Sequence, residues 1–429
     1  MLAIDPLLTS AHVGLAVFLI VIIRVVIAFG ALLVAVLFMI WFERKVISDM
    51  QNRIGPNRAG PWGILQSMAD GIKLFFKEDL LPEKADKFIF KIAPYLSVVP
   101  AFLIFTVVPI GGYLTIAGHK FELQVADPPV GILLVLAMSS IAIYGVMLAG
   151  WSSGSKYPLV GSVRASAQMI SYEAAMSLSI VSVILVSTIG ASHYGSLSTR
   201  DIVVSQAPNF FDWNFFRTGI VPFFLFMIAA TAELNRPPFD LVEAEQELVG
   251  GFHTEYSSIR FALFFLAEYM NTITMSALAV TLFFGGPDGP GFHFLPWLWP
   301  ILWFVGKTGI FLFMYVWLRA ALPRLRYDQL MDLGWKVLIP LSLFWTLMVG
   351  ASRVSSDASK IALWMGIVFI IGVIGYALLS QSIKVGNLTT KSLQESHLSG
   401  PLEGKLNASL DDLLAEKIVA IHSKERSDG

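Results

Sequence analysis

The chain has 429 residues, of which 55% are hydrophobic and only 14% charged, and its net charge is −1. A soluble domain carries about 25% charged residues, so an ordinary water-exposed globule is excluded, and the balanced charge offers no basic field for nucleic acid. Cysteine is absent, which excludes disulfides, thiolate metal sites and cysteine-ligated iron–sulfur clusters in this chain.

The N-terminal MLAIDPLLTS has no basic n-region and no small-residue cleavage pattern. The first apolar run is therefore expected to act as the insertion signal and to remain in place. That run, residues 11–42, exceeds the roughly 20 residues that cross a bilayer, so it should tilt or project; Arg24 interrupts it. The next apolar runs are 88–110 with Pro94, Pro100 and Pro109, then 130–149, then 165–189 carrying Glu173. A short run at 219–232 precedes 261–284, which carries Glu268 and Asn271. Runs at 296–318, with Lys307, at 337–351, again short, and at 361–379 complete the set. The pattern predicts an all-α polytopic membrane protein with nine crossings. The short runs gain length from flanking residues or lie buried inside the bundle.

Loop charges orient it. The first long loop holds Arg44, Lys45, Arg53, Arg58, Lys73, Lys77, Lys84, Lys87 and Lys91. The loops two, four and six crossings later add Lys156, Arg164, Arg236, Arg260, Arg319, Arg324, Arg326 and Lys336, whereas the opposite side holds Lys120, Arg200, Arg217, Arg353 and Lys360. The positive-inside rule places the charged loops in the cytoplasm and the N-terminus outside; with nine crossings the C-terminus is also cytoplasmic. The tail from Ser382 is polar, with helically spaced Leu406, Leu410, Leu413, Leu414, Ile418 and Ile421; it reads as a surface or docking helix, or as a partly disordered appendage.

Two loops look chemical. TAELNRPPFDLVEAEQELVGGFHTEYSS, residues 231–258, sets Glu233, Asp240, Glu243, Glu245, Glu247 and Glu255 against Arg236 alone. Pro237 and Pro238 break the preceding helix, and Asp240 can cap a short new one. Asp240, Glu243 and Glu247 would then share a face, where mutual repulsion couples their titrations, as a proton relay requires. A solvated acidic loop is the bland alternative. Within the membrane, Glu173 and Glu268 are costly and mark an ion path, or else satisfied structural pairs; Lys307 and Arg24 could pair with them or snorkel. The other loop, 43–91, is turn-rich and then carries ILQSMADGIKLFFKEDL, apolar at helical spacing, suited to lie at the interface beside a polar cavity. No His/Asp/Glu spacing reads as a metal site, and no phosphate loop or dinucleotide fingerprint is present. No internal repeat supports an inverted-repeat transporter.

GILQSMADGIKLFFKE, residues 63–78, resembles the first signature of the H subunit of proton-translocating NADH:quinone oxidoreductase, respiratory complex I, and PFDLVEAEQELVGG, residues 238–251, resembles the second. SKYPLVGSVRASAQMISYE (155–173) and ALPRLRYDQLMDLGWKVLIP (321–340) also look like this family. The resemblance covers roughly residues 11–351, in order. It implies an eight-helix bundle at the junction of the membrane and peripheral arms of a multisubunit respiratory-chain translocase in the bacterial cell inner membrane. The implied partners are the other complex I subunits, quinone and the lipid bilayer; FMN and iron–sulfur clusters lie in partner subunits, and this chain holds none. Carried over by motif, the quinone chamber includes Arg44, Lys45, Asp49, Arg53, Gly55, Pro56, Asp70 and Lys73. The proton relay includes Glu233, Asp240, Glu243, Glu247 and Glu255, with Glu173 and Glu268 deeper.

The division expected is thus a bundle at 1–351 with chamber loops 43–91 and 233–260, an extra transmembrane helix within 352–381, and a cytoplasmic tail at 382–429. The ninth helix departs from the family pattern. Two other functional classes compete: a secondary transporter using the same carboxylates for a coupling ion, and a structural anchor for peripheral electron-transfer subunits.

Overall fold

The computed structural model describes residues 15–116, 119–187, 195–207, 209–241, 249–291 and 295–354. The expected ninth helix at 361–379, the tail, and Glu243 and Glu247 lie outside them.

Apolar runs became helices because a chain in hydrocarbon must satisfy its backbone groups internally. Among the described residues, seven helical spans are long and apolar enough to cross a membrane. The first is α1 (Leu15–Met50), whose 36 residues extend about 54 Å at ~1.5 Å per residue, well beyond the hydrocarbon. α2 (Gln66–Phe76) is the short amphipathic helix of the first loop. α3 (Lys87–Thr106) starts at an Asp86 cap, which accepts from the Phe88 and Ile89 amides. A small hairpin, β1 (Tyr113–Ile116) and β2 (His119–Glu122), pairs antiparallel, a local departure from the all-α expectation. α4 (Gly131–Ser152), α5 (Lys156–Val186), α6 (Thr199–Gln206), α7 (Asn214–Arg217) and α8 (Ile220–Glu233) follow. The chain continues through α9 (Ser258–Phe283), α10 (Leu298–Ala321) and α11 (Tyr327–Leu333). A π turn (Gly334–Leu338) joins α11 to α12 (Ile339–Val354).

Both short runs are explained. α8 has only 14 residues, but ten are buried, so it sits inside the bundle against α5 and α9. The run expected at 337–351 is longer than its apolar pattern: Asp328, Asp332 and Lys336 interrupt the hydropathy, yet helix continues through them, giving a span of Tyr327–Arg353. Lys336 and Asp332 pair one turn apart at 2.8 Å.

α9 is the central helix, 72% of its apolar window being buried, whereas α1 is peripheral at 17%. Phe18, Val26, Ile27 and Phe38 of α1 are all at least half exposed, as a lipid-facing helix requires. Small residues set the closest approaches. A side chain at Gly145 would meet the Ser97 amide of α3 at 2.9 Å, and one at Gly150 would meet the Pro158 carbonyl of α5 at 2.4 Å. Such glycine contacts let helices in lipid gain dispersion and backbone proximity.

Lys307 pairs with neither Glu173 nor Glu268. Its Nζ donates to the carbonyls of Phe284 (2.8 Å), Gly286 (3.1 Å) and Asp288 (2.7 Å), and lies 4.7 Å from the Trp213 ring centroid. It therefore caps the C-terminal end of α9, where the orphan carbonyls and the helix dipole favour a cation. Lys307→Met should lower stability by about 2 kcal/mol, since charged donors serve these carbonyls. Thermal unfolding in detergent would measure it, and an unchanged midpoint would remove the capping role.

Candidate functional site

At the end of the bundle carrying the charged loops, ionic side chains meet below the surface. α1 runs its last turns past the membrane-facing core and delivers Glu43, which is buried. α8 ends at Glu233; the chain then turns through Asn235 (φ 50°) and a cis Pro237–Pro238 bond, with Arg236 turned back under the bundle between them. Gln168 of α5 clamps this turn, donating to the carbonyls of Ala232 (2.7 Å) and Phe239 (2.8 Å). The Leu325 amide donates to the Pro238 carbonyl at 2.9 Å.

Arg236, 3% exposed, is the hub. Its Nη1 donates to Glu43 Oε2 at 2.9 Å, and its Nε lies 3.0 Å from Glu268 Oε1 of α9. The latter is an ion pair rather than an aligned hydrogen bond, because the Nε–H finds no acceptor along its own direction. Its guanidinium also lies 4.7 Å from the Tyr269 ring centroid. Arg319 of α10 bonds the other Glu43 oxygen. Burial works against the Arg236 charge, but Glu268 and Glu43 outweigh it and hold the group above its ordinary pKa. A nearby pair joins buried Asp240 to Arg324 at 3.3 Å.

Beside this network lies a cavity of about 60 Å³. Glu233, Asp240 and Glu268 line it together with Asn235, His253 and Asn271. A water needs roughly 10–15 Å³ of such space and polar partners, so the cavity has room for several waters among carboxylates. Glu233 is buried and accepts from Ser139 of α4. The next residue, Ser140, donates to Glu173 of α5 at 2.5 Å. Two consecutive serines of α4 thus serve both carboxylates.

Of the expected relay, the structure thus brings Glu233, Asp240 and Glu268 to one cavity and hangs Glu173 from the adjacent serine. Glu255 is half-buried after the turn at Gly251–His253 and does not line that cavity. Glu43, Arg319, Ser139 and Ser140 are site residues that sequence reasoning passed over. Glu43 carried a signal: a carboxylate closing an apolar run, ahead of two basic residues.

The first loop forms a second cluster around the end of α1. Arg44 pairs with Asp70 of α2 at 2.6 Å, and Gln66 donates to the same carboxylate at 3.2 Å. Lys45 reaches the Pro56 carbonyl at 3.5 Å, and Gly55 packs against Ser48 and Lys45. The Arg53 amide donates to the Ser48 carbonyl at 2.8 Å and its guanidinium to Gln51, while the Asp49 carbonyl accepts from the Asn52 amide at 3.2 Å. Lys73 is exposed on α2. The loop turns through four residues with φ between 54° and 82°: Gly60 and Gly63 adopt this region freely, whereas Ala59 and Trp62 are strained by it. Trp41 steadies it, donating to the Trp62 carbonyl at 3.0 Å. α2 leaves Met68, Ile72, Phe75 and Phe76 exposed, and Leu65 just before it is exposed too.

α2 is latched to the start of α9. Ser258 Oγ donates to the carbonyls of Leu74 (3.0 Å) and Lys77 (2.8 Å), and Arg260 pairs with Asp79 at 2.9 Å. Along α1 a second, apolar cavity of about 500 Å³ is lined by Phe38, Trp41, Phe42, Ile273, Phe304 and Leu312 among others. Among the described residues no group of three His, Asp or Glu could hold a metal ion.

Long apolar helices with lipid-facing surfaces, packed into one bundle that buries a carboxylate–arginine network at one end, define a multi-pass membrane protein. Residues 23–350 match the family described as NADH dehydrogenase, and the chain belongs to that family. It is 54% identical over 342 residues to the H subunit of the NADH-quinone oxidoreductase of Frankia alni, covering 79% of this chain and 73% of that protein. To the protein of the same name in Streptomyces avermitilis it is 48% identical over 359 residues, covering 81% and 77%.

Proposed function

We propose that this chain forms the quinone chamber of a proton-translocating NADH:quinone oxidoreductase and couples quinone reduction to proton movement through its carboxylates. As a family member it is a multi-pass part of a multisubunit oxidoreductase, with no activity of its own. The observation that carries the proposal is the convergence of Glu233, Asp240 and Glu268 on one cavity beside the Glu43–Arg236 pair.

A quinone has an apolar tail and a polar head. The apolar cavity beside α1 suits the tail, and it ends at Trp41 and Phe42, next to Glu43 and Arg44. Arg44, Lys45, Asp49, Arg53, Gly55, Pro56, Asp70 and Lys73 would then surround the mouth and head-group end. Electrons would come from FMN by way of iron–sulfur clusters in partner subunits. Reduction to quinol takes up two electrons and two protons, so charge near the head group changes during turnover. Arg236 senses such a change on both sides, because it holds Glu43 toward the mouth and Glu268 toward the cavity. A shift in that balance alters the proton affinity of Glu233 and Asp240, and Ser139 and Ser140 connect the response to Glu173. Glu243, Glu247 and Glu255 would supply the outer end of this path.

The bundle would have eight crossings over residues 1–351, with α8 as the short one, and a ninth within 352–381 leading to a cytoplasmic tail. The charged loops face the cytoplasm of a bacterium and the N-terminus faces outward. The test is the assembled complex in proteoliposomes. Glu233→Gln should slow quinone-linked proton pumping roughly tenfold or more, the range of a lost proton-transfer group, whereas Ser139→Ala should have a smaller effect. Full turnover and full pumping stoichiometry in the Gln variant would end the relay reading.

A further inference from the structure

We propose that Arg217 and Arg353 form a binding site for the phosphate of an anionic phospholipid, at the end of the bundle opposite the carboxylate cavity. The two residues come from separate elements, the end of α7 and the end of α12, yet they converge on one oxygen. Arg353 Nη2 donates to the Val186 carbonyl at 2.9 Å, and Arg217 Nη2 reaches the same carbonyl at 3.5 Å. Arg217 Nη1 is held by the Ser205 carbonyl at 2.8 Å. The two guanidinium groups are close enough to repel.

Capping the end of α5 needs one cation, not two. Among the described residues no carboxylate pairs with either arginine, and their described hydrogen bonds go to the Val186 and Ser205 carbonyls alone. Planar guanidinium groups match phosphate oxygens in pairs.

The surroundings select a lipid rather than a free ion. Phe216 precedes Arg217 and is 41% exposed; Phe210 and Phe211, within 6 Å of its ring centroid, are 55% and 77% exposed. Ile220 and Phe224, one helical turn apart on α8, are also exposed and continue an apolar strip away from the arginines. Aromatic rings beside basic groups are the composition of a membrane–water boundary. A headgroup phosphate on the arginines would lay its acyl chains along that strip.

The experiment uses the assembled complex in nanodiscs, with photo-crosslinking phosphatidylglycerol and phosphatidylcholine probes and peptide mass spectrometry of the crosslinks. The anionic probe should label peptides around Arg217 and α12 in preference to the zwitterionic one. Arg353→Gln should weaken that preference roughly fivefold, the value of one basic residue near a charged lipid, and Arg217→Gln with Arg353→Gln should abolish it. The Arg217→Lys/Arg353→Lys variant keeps both charges and should retain most of it; if the double Gln variant fails to assemble, the single Arg353→Gln variant decides. Equal labelling by both probes in the wild type, or an unchanged preference in Arg353→Gln, would overturn the proposal. So would loss of the preference on adding inorganic phosphate, which would identify a soluble anion as the ligand.

Discussion

Replacing Arg236 by Gln should both destabilise the chain and remove most quinone reduction from the assembled complex. Arg236 is buried and satisfies two carboxylates at once, Glu43 at 2.9 Å and Glu268 at 3.0 Å. Taking one partner from a buried ion pair costs about 3–5 kcal/mol, because the remaining charge is left in a poor solvent. Glu43 keeps Arg319, so part of its charge stays balanced, while Glu268 loses the partner that faces it. Neutralising Glu43 in the same chain removes one of the stranded charges, and Glu43→Gln with Arg236→Gln should therefore be more stable than Arg236→Gln alone. A thermal double-mutant cycle on the purified complex measures the coupling. Simple additivity would mean that the two residues do not act as a pair. Activity should not return with stability, because the double variant has lost the link between α1 and α9.

Gly63→Ala should cost the complex at least tenfold in quinone reduction while leaving the membrane helices assembled. Gly63 has φ +77°, and a methyl group there would sit 2.4 Å from the Pro56 carbonyl oxygen and 2.5 Å from its carbon. Both neighbours are backbone, so neither can swing aside. The loop must open, and with it the placement of α2, whose Asp70 meets Arg44. A misplacement of about 1 Å at a reacting centre is enough for a hundredfold loss. Ala59→Gly is the opposite case. It relieves a residue held at φ 67° and should stabilise the loop by about 1 kcal/mol. Turnover with a short-chain quinone, with assembly followed by native gel, separates the two effects. Normal turnover in Gly63→Ala would show that the tight loop is not needed for the chemistry.

Most of the bundle was legible because hydropathy records what faces lipid. The spans beginning near Lys87, Gly131, Ser258 and Leu298 follow their apolar runs closely. α5 and the α11–α12 span did not, since Lys156, Arg164, Asp328, Asp332 and Lys336 are charged residues that helix continues through at the bundle end. The site was half legible. Carboxylates in an apolar setting marked Glu173, Glu233, Asp240 and Glu268 as candidates, and the structure sets the last three on one cavity. Their partners could not be read, because pairing across 193 residues of chain, as between Glu43 and Arg236, leaves no local spacing. Lys307 shows the converse. Its charge left open a carboxylate partner or a snorkelling side chain, and the backbone carbonyls at a helix end, which satisfy it, are invisible in a sequence.

Ser139 and Ser140 are consecutive on α4, so their side chains point about 100° apart around one axis. One bonds Glu233, the other Glu173. A rigid helix cannot let go of one without moving the other: a small roll of α4 that lengthens the first bond must press or release the second. The two acids thus share one helix as their donor, and that helix is itself held close to α3 at Gly145 and to α5 at Gly150.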